Sequence, residues 1–182
     1  LIDSSSNVQK QVLEPLMASV NQLIRLIDNL LLLSRTERQM NSKVVLKLAR
    51  QVREVVALWY EKAEQKEQTF ELRLDDTATV HSDPDLLHIL LSNLIDNAIK
   101  YGELGSAITI EQRKRALVIT NQVSEQTQFD IDRVGERFYR GGHLDIDGTG
   151  LGLSIVSNIA EQLDIRVQFS RSESAFICTL SF

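Results

Sequence analysis

The sequence predicts an α+β protein in which one long apolar helix precedes a smaller domain of mixed strands and helices. Three observations predict it. From about residue 8 to 38, Leu13, Leu16, Val20, Leu23, Ile27 and Leu30 recur at alternating spacings of three and four, the seam of a helical bundle. Beyond Met40-Asn41-Ser42 that pattern stops, and short segments of period two are interleaved with segments of helical period. Finally, Gly148-Thr149-Gly150-Leu151-Gly152 runs directly into Leu153, Val156, Ala160 and Leu163 at helical spacing, a glycine loop feeding a buried helix.

The first helix starts after the polar Ser4–Asn7, with Pro15 as a kink or a late first-turn residue. Met17, Ile24, Leu26, Leu31 and Leu33 broaden its seam beyond a two-stranded zipper, so it wants several neighbours, as in a four-helix bundle. We place a domain boundary after residue 40, giving a bundle helix over 1–40 and a second domain over 41–182. In that domain Val44–Leu48 reads as a short strand and Ala49–Gln65 as a helix with Val52, Val55, Val56 and Trp59 inward. Thr69–Leu74 alternates Phe70, Leu72 and Leu74 with polar residues, as a strand covering one core does. Asp83-Pro84 is a helix start, an N-cap followed by proline at the first helical position, and the helix continues to Tyr101. Ala107–Arg113 and Leu117–Gln122 are strands joined by a turn at Lys114-Arg115, and Ile165–Ser170 and Phe176–Phe182 close the chain as a strand pair.

Composition excludes several classes. A net charge of −5 gives no nucleic-acid surface. The single cysteine, Cys178, excludes an intrachain disulfide and reads as a core residue of the last strand. No apolar run reaches the roughly 18 residues of a membrane span. The chain starts without Met, and we expect it to be a piece of a longer protein.

Two stretches carry chemistry. The glycine loop presents backbone N–H groups and the positive end of a helix dipole with no Cβ in the way, the physics of a phosphate site. It is not a P-loop, since no Gly-Lys-Ser/Thr follows, and Gly-x-Gly-x-Gly with 30 residues remaining leaves no room for a dinucleotide fold. The second stretch is the helix Pro84–Tyr101. Leu87, Leu91, Leu94, Ile95 and Ala98 share one broad face, while Asn93, Asn97 and Lys100 stack at i, i+4 and i+7 on the opposite side. Asparagine costs a helix about half a kcal/mol against alanine. A merely solvated stripe would more naturally use Glu, Lys or Gln, so two asparagines aligned with a lysine point to a ligand.

The ordered set Asn93-Leu-Ile-Asp-Asn97-Ala-Ile-Lys100-Tyr101, Arg137-Phe138-Tyr139-Arg140-Gly141 and Gly148-Thr-Gly-Leu-Gly-Leu-Ser-Ile-Val resembles the N, F and G2 boxes of sensor histidine kinases. Arg25-Leu-Ile-Asp-Asn-Leu-Leu-Leu-Leu-Ser-Arg35 is similar to the end of the second helix of their dimerisation and phosphotransfer domain. The resemblance covers the chain from about residue 8 to 182. It implies a two-layer α/β sandwich, a mixed sheet with three helices on one face, holding ATP and Mg²⁺ beneath a lid. It implies that Asn97 ligates Mg²⁺, that Asn93 supports the metal and phosphates, that Lys100 meets the phosphates and that Tyr101 lines the nucleotide pocket. Arg140 is the implied catalytic residue, at the γ-phosphate. The resemblance also implies that Gly148, Gly150 and Gly152 let the lid hinge and contact phosphate through their N–H groups, with Thr149 and Leu151 in the same nucleotide-binding stretch.

The chain departs from the family pattern in two places. His81, His88 and His143 all lack the family's acceptor context and read as structural or solvated residues. The acceptor histidine is therefore expected upstream of Leu1, in a parent protein of the bacterial inner membrane with this part in the cytoplasm. The isolated chain is accordingly not expected to phosphorylate itself. Implied partners are the phosphoacceptor hairpin of the same protein, a response regulator, and a second copy joined through the N-terminal helix. The other departure is in the G1 box, where Asn121 aligns with the aspartate that reads the adenine amine and Val123 with the first glycine. That change keeps a second function open, a non-catalytic nucleotide-sensing or dimerisation module. A third, efficient ATP hydrolysis as in gyrase or the heat-shock chaperones, needs a glutamate base where Asn93 stands, and asparagine cannot accept the proton.

Overall fold

The fold is organised by a helix whose start was written in two residues. In the computed structural model, which describes residues 43–124, 130–136, 139 and 151–182, Asp83 accepts the N–H groups of Asp85 and Leu86, both at 3.0 Å. Pro84 follows at the first position of helix α2 (Pro84–Tyr101). Two further helices flank it in sequence, α1 (Leu48–Glu64) and α3 (Gly152–Leu163). The strands are β1 (Val44–Lys47), β2 (Thr69–Arg73), β3 (Thr79–Ser82), β4 (Ala107–Arg113), β5 (Ala116–Gln122), β6 (Arg166–Arg171) and β7 (Ala175–Ser181).

Five strands form a mixed sheet in the order β2-β4-β5-β7-β6, with only β2 and β4 parallel. A parallel pair needs a long crossover, and the segment between them supplies β3 and α2. β1 and β3 pair antiparallel as a separate two-stranded ribbon. The helices pack on the sheet with α1 against β2, α2 against the central β5 and α3 against the edge strand β6.

The register shows one apolar face. Ile108, Ile110, Leu117, Ile119, Phe176, Cys178 and Leu180 are all buried and fall on aligned positions of β4, β5 and β7. Facing them, α2 buries Leu86, Leu87, Leu90, Leu91, Leu94, Ile95, Ala98 and Ile99. One buried polar residue sits in that face: Asn121, in register between Ile108 and Phe176.

The expected elements match closely, with the helix Ala49–Gln65 beginning one residue earlier at Leu48. The ribbon strand β3 is not among the elements expected from the sequence. The expected bundle helix over 1–40 lies outside the described residues.

Cys178 is buried on the sheet's inner face, and burial pushes its thiol up to about 12. A thiol so held has almost no thiolate at neutral pH. Ellman's reagent is therefore expected to leave Cys178 unmodified in the native chain and to label it fully in denaturant.

Candidate functional site

The candidate site lies where α2 meets the start of α3. Asn93 Nδ2 donates back to the Ile89 carbonyl at 2.8 Å, which fixes the amide and aims its oxygen away from its own helix. A Cβ built on Gly152 would lie 3.7 Å from Asn93 Oδ1. The asparagine stripe and the last glycine of the loop, 59 positions apart, are therefore neighbours.

Among the described residues, no side chain caps the start of α3. Leu151 in the cap position supplies no side-chain acceptor, and the first turn has no acidic residue. Ser154 turns its hydroxyl back to the Leu151 carbonyl at 2.8 Å and so does not cap the N–H groups. A helix beginning this way leaves its first amides directed at whatever lies before it.

Asn93, Asn97 and Lys100 are each half-buried on α2. Lys100 Nζ pairs with Asp96 Oδ2 at 2.5 Å, one turn back on the same helix. Asp96 also receives Lys62 of α1 at 2.5 Å. Burial alone would raise the Asp96 pKa, but the charges and hydrogen bonds of Lys100 and Lys62 hold it below its ordinary value.

The carboxyl end of α2, where Lys100 and Tyr101 sit, is held by two side chains from the loop after α1. Lys66 Nζ donates to the carbonyls of Ile99 and Lys100, both at 2.8 Å, and Gln68 Nε2 donates to Ile99 at 3.3 Å and Glu103 at 3.1 Å. A cation at a helix C-terminus meets both the orphan carbonyls and the negative dipole end. Desolvation and, after it, the charge of Lys62 lower the pKa of Lys66. Motif reading had no signal for either residue, since both lie outside the N box.

Asn121 is 2% exposed, and its Nδ2 has no hydrogen-bond partner among the described residues. An unpaired buried amide costs roughly 1–3 kcal/mol, so its presence in an apolar sheet face calls for a partner that arrives. The strand end carrying it is tied to the end of α2, because Glu103 N–H donates to the Gln122 carbonyl at 2.9 Å. Asn121 thus belongs to the same end of the molecule as Tyr101.

Among the described residues no three His, Cys, Asp or Glu side chains converge on a metal site. The amide oxygens of Asn97 and Asn93 are hard donors suited to Mg²⁺, which keeps most of its ligands as water and phosphate oxygen. The residues present fit a metal that enters with a nucleotide. Arg140, Gly148, Thr149 and Gly150, together with Arg137, Phe138 and Gly141, lie outside the described residues. Of the F box, Tyr139 is described, with its ring under the Arg133 guanidinium, 4.8 Å away.

Residues 82–182 match the family model described as histidine kinase-, DNA gyrase B- and HSP90-like ATPase. The chain is 32% identical over 180 residues to the sensor protein QseC of Escherichia coli K12, covering 95% of this chain and 39% of that protein. It therefore spans well under half the length of that relative. Among solved structures, the cytoplasmic segment of histidine kinase QseC superposes with a TM-score of 0.65 at 23% identity, covering 90% of this chain and 93% of that one. The Acinetobacter baumannii histidine kinase AdeS gives 0.68 at 24% identity, covering 93% and 82%. These two likenesses concern the fold, a mixed sheet layered under helices. No helix among the described residues is long and apolar enough to cross a membrane.

Proposed function

Because the chain belongs to the histidine kinase-, DNA gyrase B- and HSP90-like ATPase family and carries the catalytic domain of sensor histidine kinases, we propose that it binds Mg-ATP between α2 and α3 and transfers the γ-phosphoryl to a histidine outside this chain. The observation that carries the reading is the meeting of Asn93 with Gly152 at a helix start that no described side chain caps. Phosphates seated there accept the first amides of α3, and Asn97, one turn beyond Asn93, presents an oxygen to the metal. Asn97, with Asn93 in support, would hold Mg²⁺, and the ion would neutralise charge on the phosphates. Lys100 offers its ammonium to the phosphates, Tyr101 a wall to the base, and Asn121 its amide to the adenine edge. Arg140 is assigned to the transferred phosphoryl, where charge develops as the bond to ADP breaks and the bond to the imidazole nitrogen forms. The phosphoacceptor hairpin, a response regulator and a second copy of the chain are the partners this reading implies. So is a cytoplasmic position beneath a membrane-anchored parent.

The experiment supplies the missing acceptor. A helical hairpin carrying a histidine in the family's acceptor context is mixed with the chain and ATP radiolabelled at the γ position. Acid-labile, alkali-stable label is expected on the hairpin and none on the chain alone. Label on the isolated chain would contradict the structural reading of His81, His88 and His143, and no label on the hairpin would contradict phosphotransfer. One observation favours the second reading, a nucleotide sensor without catalysis: Val123, at the position of the first G1 glycine, is buried and β-branched, a stiff residue where a hinge is expected.

A further inference from the structure

Lys62 is absent from every motif, yet it enters the site's charge network from another helix. Its ammonium lies 2.5 Å from Asp96 Oδ1 and 4.8 Å from the centroid of the Trp59 ring. Trp59 is itself fixed, because its indole N–H donates to Ser92 Oγ of α2 at 2.9 Å. The other oxygen of Asp96 holds Lys100. Two ammonium groups therefore share one carboxylate whose side chain is only 17% exposed.

That arithmetic matters when an anion arrives. If Asp96 had Lys100 as its sole partner, a phosphate drawing Lys100 away would leave a largely buried carboxylate uncompensated, which is strongly unfavourable. With Lys62 in place, one cation can leave and the carboxylate keeps a charge-assisted partner. Trp59 holds that partner in position from its other side, since an aromatic face attracts an ammonium. Lys62 has no need to touch the ligand.

We propose that Lys62 is a positioning residue that keeps Asp96 paired and thereby frees Lys100 to bind the nucleotide phosphates. This rests on the assignment of Lys100 to those phosphates. A plain structural pin between α1 and α2 predicts something different: loss of Lys62 would lower the melting temperature and leave affinity unchanged.

The test is the dissociation constant for Mg-ATP, measured by calorimetry on the whole chain, with melting curves to confirm folding. Lys62→Met is expected to weaken binding about tenfold, the scale of one hydrogen bond to a charged group. Lys62→Gln serves as a second variant should the methionine form fail to fold. Lys62→Arg keeps the charge and is expected to stay within about twofold. The decisive background is Asp96→Asn, in which Lys100 is released and Lys62 has nothing left to compensate. There Lys62→Met should change affinity by less than about twofold, the range of independent sites. Unchanged affinity in Lys62→Met would overturn the proposal. So would a loss of the same size in the Asp96→Asn background, because Lys62 would then act on the ligand through its own field. Failure of the unmutated chain to bind Mg-ATP would overturn the nucleotide reading instead, and this inference with it.

Discussion

Asn97→Ala is expected to weaken Mg-ATP binding by at least about a hundredfold while leaving the fold intact. The magnitude follows from the proposed role, because loss of even an outer-shell partner of a metal costs about 10–100-fold. The intact fold follows from the helix: alanine is favoured over asparagine there by about half a kcal/mol, and Asn97 is half-buried rather than part of the apolar core. Calorimetry with and without a chelator checks both parts. In Mg²⁺ the variant should give little heat. With the metal chelated, variant and unmutated chain should converge on the same weak affinity, because Asn97 acts through the metal. A difference that persists without metal would mean that Asn97 contacts the nucleotide directly.

Asn121→Leu is expected to move stability and affinity in opposite directions. The amide is buried in an apolar face with Nδ2 unpaired among the described residues. Replacing it with an apolar group of similar shape removes the desolvation penalty, and the nucleotide-free chain should gain about 1–2 kcal/mol. If the amide is there to meet a purine edge, the same change should lower ATP affinity about tenfold or more, because a site built to hydrogen-bond loses the pair it was shaped around. Denaturant melts and a binding isotherm on the same preparation test this. Greater stability with unchanged ATP affinity would remove Asn121 from the nucleotide site.

The parts legible in the sequence were those set by neighbours in the chain. Asp83-Pro84 announces α2, and the alternation from Ala107 to Arg113 gives β4, because capping and period two are local. The N box and the glycine helix were equally visible. That Asn93 would face Gly152 followed only from the resemblance, since the two are brought together by α2 packing on α3. Nothing in the sequence singles out Lys62, Lys66 or Gln68. Their roles come from pairing with α2 across the fold, at Asp96, at the Ile99 and Lys100 carbonyls and at Glu103. The parallel pairing of β2 with β4 was likewise hidden, because side-chain alternation marks a strand's face and says nothing of its neighbour.

The central claim is that Mg-ATP binds between α2 and α3. The most direct measurement is a titration of the isotopically labelled chain with Mg-ATP, followed amide by amide by nuclear magnetic resonance. The account predicts shifts concentrated on Asn93, Asn97, Lys100, Tyr101, Asn121, Leu151 and Gly152. Shifts confined to the far face of the sheet, at Thr109, Thr120 and Ile177, or to the shallow groove of Ser157, Glu161 and Arg166, would contradict it, as would no shifts at all.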